Sequence, residues 1–227
     1  MASGVATNRV VADGPPAGDP RAAAGSKAAY PQPTTARPAP RDHTARAAEI
    51  IDTARALLEE IGPRGLTMRK LADALGMRAP SLYKHLPSRS ALEVALVEHG
   101  LDEIGGALHG ALAKSTADPI GALLDTYRSA GLANPQLYRL VTASSFPRGQ
   151  ILDGLEAWAG EPFFLATGDS HLAQALWSFA HGTLILELDG RFLGGSDLDR
   201  TWQAGAKAFK AACDASNPGG VTSPASD

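Results

Sequence analysis

The 227-residue chain is expected to fold as an all-α protein, and three features of its sequence say so. Apolar residues recur three and four positions apart in segment after segment from residue 47 onward. Glycine, proline and hydroxyl-bearing residues punctuate those segments at helix lengths. No alternating apolar and polar run has a second run to pair with.

The start of the chain stands apart. Seven of the 16 prolines lie in residues 1–40, among many alanines and few large apolar side chains. Proline removes helix donors, and so little apolar surface cannot offset the entropy of ordering. Residues 1–42 are therefore expected to be a disordered arm, made mildly basic by Arg9, Arg21, Lys27, Arg37 and Arg41. The pattern changes at Thr44. Ala47, Ile50, Ile51, Ala54, Leu57, Leu58 and Ile61 mark one face of a first helix, which Gly62 and Pro63 stop. Thr67 can cap a second helix with the face Met68, Leu71, Ala72 and Leu75, and Gly76 ends it after about two turns. A third helix is expected from Ala79 to just before Pro87, with Pro80 in its first turn. Ser88 can cap a fourth, carrying Leu92, Ala95 and Leu96 and reaching Ile104.

Behind these, helices are expected over 120–132, 135–141, 151–158 and 172–188. The last of these is apolar nearly all round, which marks a buried helix. Its tail, TLILEL, has the composition of a strand, but the unbroken run back to Leu172 favours helix. After the break FLGGS, a final stripe runs through Leu198, Trp202, Gly205, Ala206, Phe209 and Cys213. The expected organisation is an arm (1–42), a small three-helix domain (43–90), a larger helical domain (91–214) and a disordered tail (215–227).

Charge divides the chain in the same way. Residues 1–90 carry 13 Lys and Arg against 8 Asp and Glu, and residues 91–227 carry 8 against 16. The front is thus net +5 and the rear net −8, which balance to the chain's −3. Only the front is suited to approach a polyanion. A single cysteine, Cys213, excludes an internal disulfide framework and a multi-cysteine zinc site. No apolar run approaches the roughly 20 residues of a membrane helix, and MASGVATNRVVADG lacks the apolar core of a secretion signal. A cytoplasmic protein with no membrane partner is expected. The six histidines, at 43, 85, 99, 109, 171 and 181, include no HExxH pair and no accompanying acidic cluster. With no GxSxG and no glycine-rich phosphate loop either, no catalytic residue, metal site or cofactor is expected.

The second and third helices carry the functional signal. Each spans about two turns, too short to stand alone, and a tight glycine-led turn joins them. That is a helix-turn-helix, whose second helix enters the major groove of DNA with its first residues leading. From residue 74 to residue 92 there is no Asp or Glu. Arg78 can take guanine O6 and N7, while Ala79 and Pro80, with Ser81 behind them, can meet bases and thymine methyls. Tyr83, Lys84 and His85 suit phosphate oxygens, as do Arg69, the Thr67 hydroxyl and Arg89. The plainer roles are a core aromatic for Tyr83 and a C-terminal helix cap for His85.

The run over residues 44–92, including GLTMRKLADALG and SLYKHL, resembles the DNA-binding domain of TetR-family transcriptional regulators. Leu86 stands where that family usually has Phe, and Arg89 where it usually has Lys. Further on, LWSFAHGTLILELDG, with Trp177, His181 and Gly182, resembles the Trp-His-Gly class of TetR rear domains, and NPQLYRLV resembles the short helix before it. The resemblance implies a ligand-responsive repressor of a double-stranded DNA operator. It implies a small-molecule effector of unknown identity and a homodimer through the last two long helices. Ala204, Gly205, Ala208 and Ala211 would allow close contact between copies there. From the residues themselves, Tyr127, Phe146, Trp158, Phe163, Phe164 and Trp177 could together line a cavity between helices, while each taken singly suits a plain core position, with His181 a ligand contact or a satisfied core histidine. The competing reading is a helical small-molecule-binding protein or enzyme whose helix-turn-helix is non-functional.

Overall fold

Thr44 opens the first helix, its hydroxyl accepting from the Ala47 N–H at 3.2 Å. The computed structural model describes residues 36–115, 117–143 and 148–216. Helix α1 spans Ala45–Gly65, with helical geometry broken at Gly62 (φ +70°) ahead of Pro63. The expected stop is therefore a kink with one further turn beyond it. Helix α2 spans Met68–Ala74, capped by Thr67, whose hydroxyl accepts from the Lys70 N–H at 3.2 Å. Gly76 (φ +63°) then takes the left-handed conformation that only glycine adopts without steric cost.

Helix α3, Ala79–Leu82, is shorter than the sequence pattern predicts. Residues 83–86 continue as tighter turns, with the Lys84 N–H on Ser81 O at 3.3 Å and the His85 N–H on Leu82 O at 3.0 Å. Leu86 precedes Pro87, and a residue in that position is disfavoured in helical backbone. These short helices persist because α1 supports them. Ile50, Ala54, Leu58, Leu71 and Leu82 are fully buried, and Leu86, Leu92 and Leu96 complete one core.

Helix α4, Arg89–Lys114, is capped by Ser88, whose hydroxyl accepts from the Ala91 N–H at 3.0 Å. It runs well past Ile104 and serves three cores. Leu92, Ala95 and Leu96 close the head; Val94, Val97 and Leu101 pack on Leu155, Trp158 and Ala159; Leu108 joins the rear core. A boundary at residues 90 and 91 thus falls in the first turn of a shared helix.

The rear body holds α5 (Pro119–Ala133), α6 (Pro135–Thr142), a 3-10 turn (Arg148–Gln150), α7 (Leu155–Thr167), α8 (Ser170–Leu188) and α9 (Leu198–Ser216). Among the described residues there is no strand, and TLILEL is helical. No helix there is long and apolar enough to cross a membrane.

Helix α7 departs from expectation. Residues 151–154 are not helical, and the helix continues nine residues past Trp158 with Pro162 inside it. Proline leaves the carbonyl four residues earlier, that of Trp158, without its helical donor. His109 Nε2 lies 3.0 Å from that oxygen and replaces the donor, its ring stacked on the Trp158 indole at 4.9 Å.

Helix α8 corrects the expectation of an all-round buried helix. Ala173, Leu176, Ala180 and Leu184 face the core, but Trp177 is 48% exposed and Leu186 44%. These two large apolar side chains stay half open to solvent. On α9, Gly205 is used within the chain: a Cβ there would come 2.1 Å from the Phe179 ring. Ala204, Ala208 and Ala211 remain exposed.

Candidate nucleic-acid interface

One edge of the head carries exposed cations that have no carboxylate partner among the described residues. Arg69 and Lys70 project from the first turn of α2, Arg78 from the residue before α3, and Lys84 and His85 from the turns after it. Pro80 is exposed, Ala79 and Ser81 are half-buried, and Tyr83 is 45% exposed. Leu82 and Leu86 hold this edge from beneath, both buried in the head core. Tyr83 is therefore not a core aromatic. The turn lets Leu82 and Leu86 point inward while Arg78, Tyr83, Lys84 and His85 point out.

Arg89 differs from its neighbours. Its Nε donates to Glu93 at 2.8 Å and its Nη2 to Pro63 O at 3.1 Å. It ties α4 to the α1 kink. Lys70 and Arg64 were not singled out by sequence, and both are exposed without an ion pair among the described residues. Lys70 stands beside Arg69 in the RK pair that follows the Thr67 cap, and that pair was the available signal.

The rear candidates do not converge on one cavity. Tyr127 and Phe163 meet edge to face at 5.6 Å within the rear core. The Tyr127 and Tyr138 hydroxyls are 2.8 Å apart, and the Tyr138 hydroxyl lies 2.7 Å from His181 Nδ1. Burial raises the Tyr127 pKa to about 12 and raises that of Tyr138, while it lowers that of His181. A neutral His181 accepting from Tyr138 fits these directions. Trp177 lies over His181, with ring centres 5.9 Å apart, and is half open to solvent. Phe164 lies half-buried against the rear core. Trp158 packs elsewhere, between α4 and α7. Phe146 lies outside the described residues. Tyr138, central to the network, was missed by sequence although it sits in NPQLYRLV.

The head and body are joined by polar contacts from α1. Glu59 accepts from the Gln136 and Leu137 N–H groups at 3.1 and 2.8 Å, capping α6. Arg55 reaches His99 and Glu103 on α4, each at 2.7 Å. Among the described residues, no three of His, Cys, Asp and Glu stand close enough to hold a metal ion.

Comparison with known proteins places this arrangement. The description "Bacterial regulatory proteins, tetR family" matches residues 50–96. The Escherichia coli class C tetracycline repressor is 47% identical over 49 residues, 22% of this chain and 22% of that protein. The match thus spans under a quarter of that relative's length. An uncharacterised helix-turn-helix transcriptional regulator of Mycobacterium tuberculosis is 27% identical over 157 residues, 62% of this chain and 69% of its own. The crystal structure of SCO4313 superposes with a TM-score of 0.63 at 26% identity, covering 76% of this chain and all of that one. Over residues 50–96 the helix-turn-helix head thus matches the tetR family of bacterial regulatory proteins, and the head with the helical body behind it shares the fold of SCO4313.

Proposed function

We propose that the chain is a DNA-binding transcriptional regulator that seats the edge from Arg69 to His85 in a major groove. The single observation that carries this is that Arg69, Lys70, Arg78 and Lys84 are all exposed on the two short helices and their turns, with no Asp or Glu from residue 74 to residue 92. A carboxylate there would be repelled by phosphate, and a cation would release counterions on binding. Arg78, Ala79, Pro80 and Ser81 lead into the groove; Thr67, Arg69, Tyr83, Lys84 and His85 hold the backbone. Arg89 reaches a phosphate only by leaving Glu93 and Pro63.

The exposed Trp177 and Leu186 of α8, beside the small exposed residues of α9, suit a second copy of the chain. Such a dimer would set two heads about one DNA turn apart, roughly 34–36 Å, on a pseudo-palindromic operator. A small molecule held in the rear body would release the operator by favouring another head spacing. It can do so only by its differential affinity for the two states.

Selection from a random duplex pool tests this reading. Recovered sequences should share an inverted repeat, and candidate small molecules should release it. Recovery of no shared sequence, with binding indifferent to duplex at low salt, would remove DNA from the account.

A further inference from the structure

The residues just before α1 do not simply trail from it. Arg41 Nε donates to both Glu98 oxygens, at 2.8 and 2.9 Å, and its Nη2 donates to Gln150 O at 2.9 Å. Glu98 is 8% exposed and also accepts from the Leu152 N–H at 2.7 Å. Four residues earlier, Arg37 Nε donates to Asp102 Oδ1 at 2.6 Å, one helical turn further along α4. The Arg37 guanidinium lies 5.5 Å from the ring centre of Trp158 on α7. The segment therefore runs antiparallel to α4 and touches the 3-10 turn and α7 of the rear body.

We infer that residues 37–41 form a strap that fixes the first helix of the head to the 3-10 turn and α7, with Glu98 as its buckle. Glu98 is the informative residue. A carboxylate so deeply buried is destabilising unless a cation and donors meet it, and Arg41 with the Leu152 N–H supplies both. Because Glu98 holds Arg41 and Leu152 at once, a displacement of the loop before α7 is passed to the start of α1. This path bypasses the apolar packing of α4. It acts on head orientation and stands whether or not the head binds DNA.

The test uses the full chain with spin labels at Asp73→Cys on α2 and Gly160→Cys on α7, in a Cys213→Ser background. Both label sites are exposed, and a side chain at Gly160 meets nothing within 4 Å. Labelled protein is diluted in unlabelled chain, and head-to-body distances are measured by double electron–electron resonance. Arg37→Ala with Arg41→Ala should broaden and shift the distance distribution and speed hydrogen exchange at the Leu152 amide. Arg41→Lys keeps the charge but loses the paired contact, and should give a smaller change in the same direction. Deletion of residues 1–35 leaves the strap in place and should change neither. An unchanged distribution and unchanged Leu152 exchange in the double variant overturn the strap. Should that variant fail to fold, the same null result in Arg41→Lys overturns it. A broadening caused by the deletion alone would put the anchor in the arm, and overturns it too.

Discussion

Apart from Arg46, which pairs with Glu49 within α1, the described cations of the front half divide into two sets with opposite uses. Arg64, Arg69, Lys70, Arg78 and Lys84 are exposed and carry no ion pair among the described residues. Arg37, Arg41, Arg55 and Arg89 turn inward, to Asp102, Glu98, Glu103 and Glu93. Those four carboxylates all lie on α4, beyond residue 90. Part of the opposition between a +5 front and a −8 rear is therefore closed within the chain. Charge counting locates a basic region, but burial and partners decide which cations remain for another molecule.

The largest effect should come from a change that touches no charge. Leu82 is fully buried beneath the outward set, and Leu82→Ala should destabilise the head by about 2–5 kcal/mol. Chemical denaturation followed by helical circular dichroism would measure it. DNA binding should fall with it, although every cation is retained. Retained stability would mean that α3 does not hang on the head core.

Arg78→Ala removes an outward cation with no ion partner among the described residues. Operator affinity should drop by about 1–3 kcal/mol with relaxed preference at one position, as read by competition among duplex variants. Thermal stability should stay within about 0.5 kcal/mol of the parent. A large loss of stability would place Arg78 in the inward set.

A carboxylate without a cation hydrogen bond sharpens the inward half. Glu161 is buried on α7, both its oxygens lack hydrogen-bond partners among the described residues, and His109 Nε2 on α4 is 3.7 Å away. Burial raises its pKa, opposed by His109. The folded chain then keeps this proton where the unfolded chain has released it. The stability so gained is present below the usual carboxyl range, about 4.3, and is lost as pH climbs through it toward the folded value. Glu161→Gln should remove that dependence and raise stability near neutral pH by about 1 kcal/mol. Denaturation midpoints across pH would show it, and a less stable variant would show that the carboxylate is held by more than His109.

Arg89 is of the paired set yet stays exposed at its tie to Glu93 and Pro63. Arg89→Ala should cost stability only about 0.3–0.5 kcal/mol, as an exposed pair four residues apart does. Its effect on DNA affinity should be smaller than that of Lys84→Ala.

The head was legible in the sequence because its rules are local. Thr67 and Ser88 cap the helices they were expected to cap, Gly76 turns the chain, and the spacing of Leu71, Leu82 and Leu86 names the buried side. The body was less legible because its determinants are distant. Pro162 hid α7, since the donor that rescues its helix comes from His109, 49 residues away in the chain. The all-round apolar composition of α8 could not say which face a single chain leaves bare. Arg41 looked like part of a loose arm because its partner, Glu98, is 57 positions further on. The rear aromatics were grouped by type, whereas packing separates Trp158 from Tyr127 and Phe163.

The account rests on the outward edge lying against phosphate, and the salt dependence of duplex binding by Lys84→Ala tests this most directly. Lys84 is exposed and has no ion partner among the described residues, so its loss should alter little else. Plotting log affinity against log salt, the slope should fall by about one relative to the parent, with binding weakened evenly across sequences. An unchanged slope would mean that this side chain meets no phosphate and that the edge faces something other than DNA.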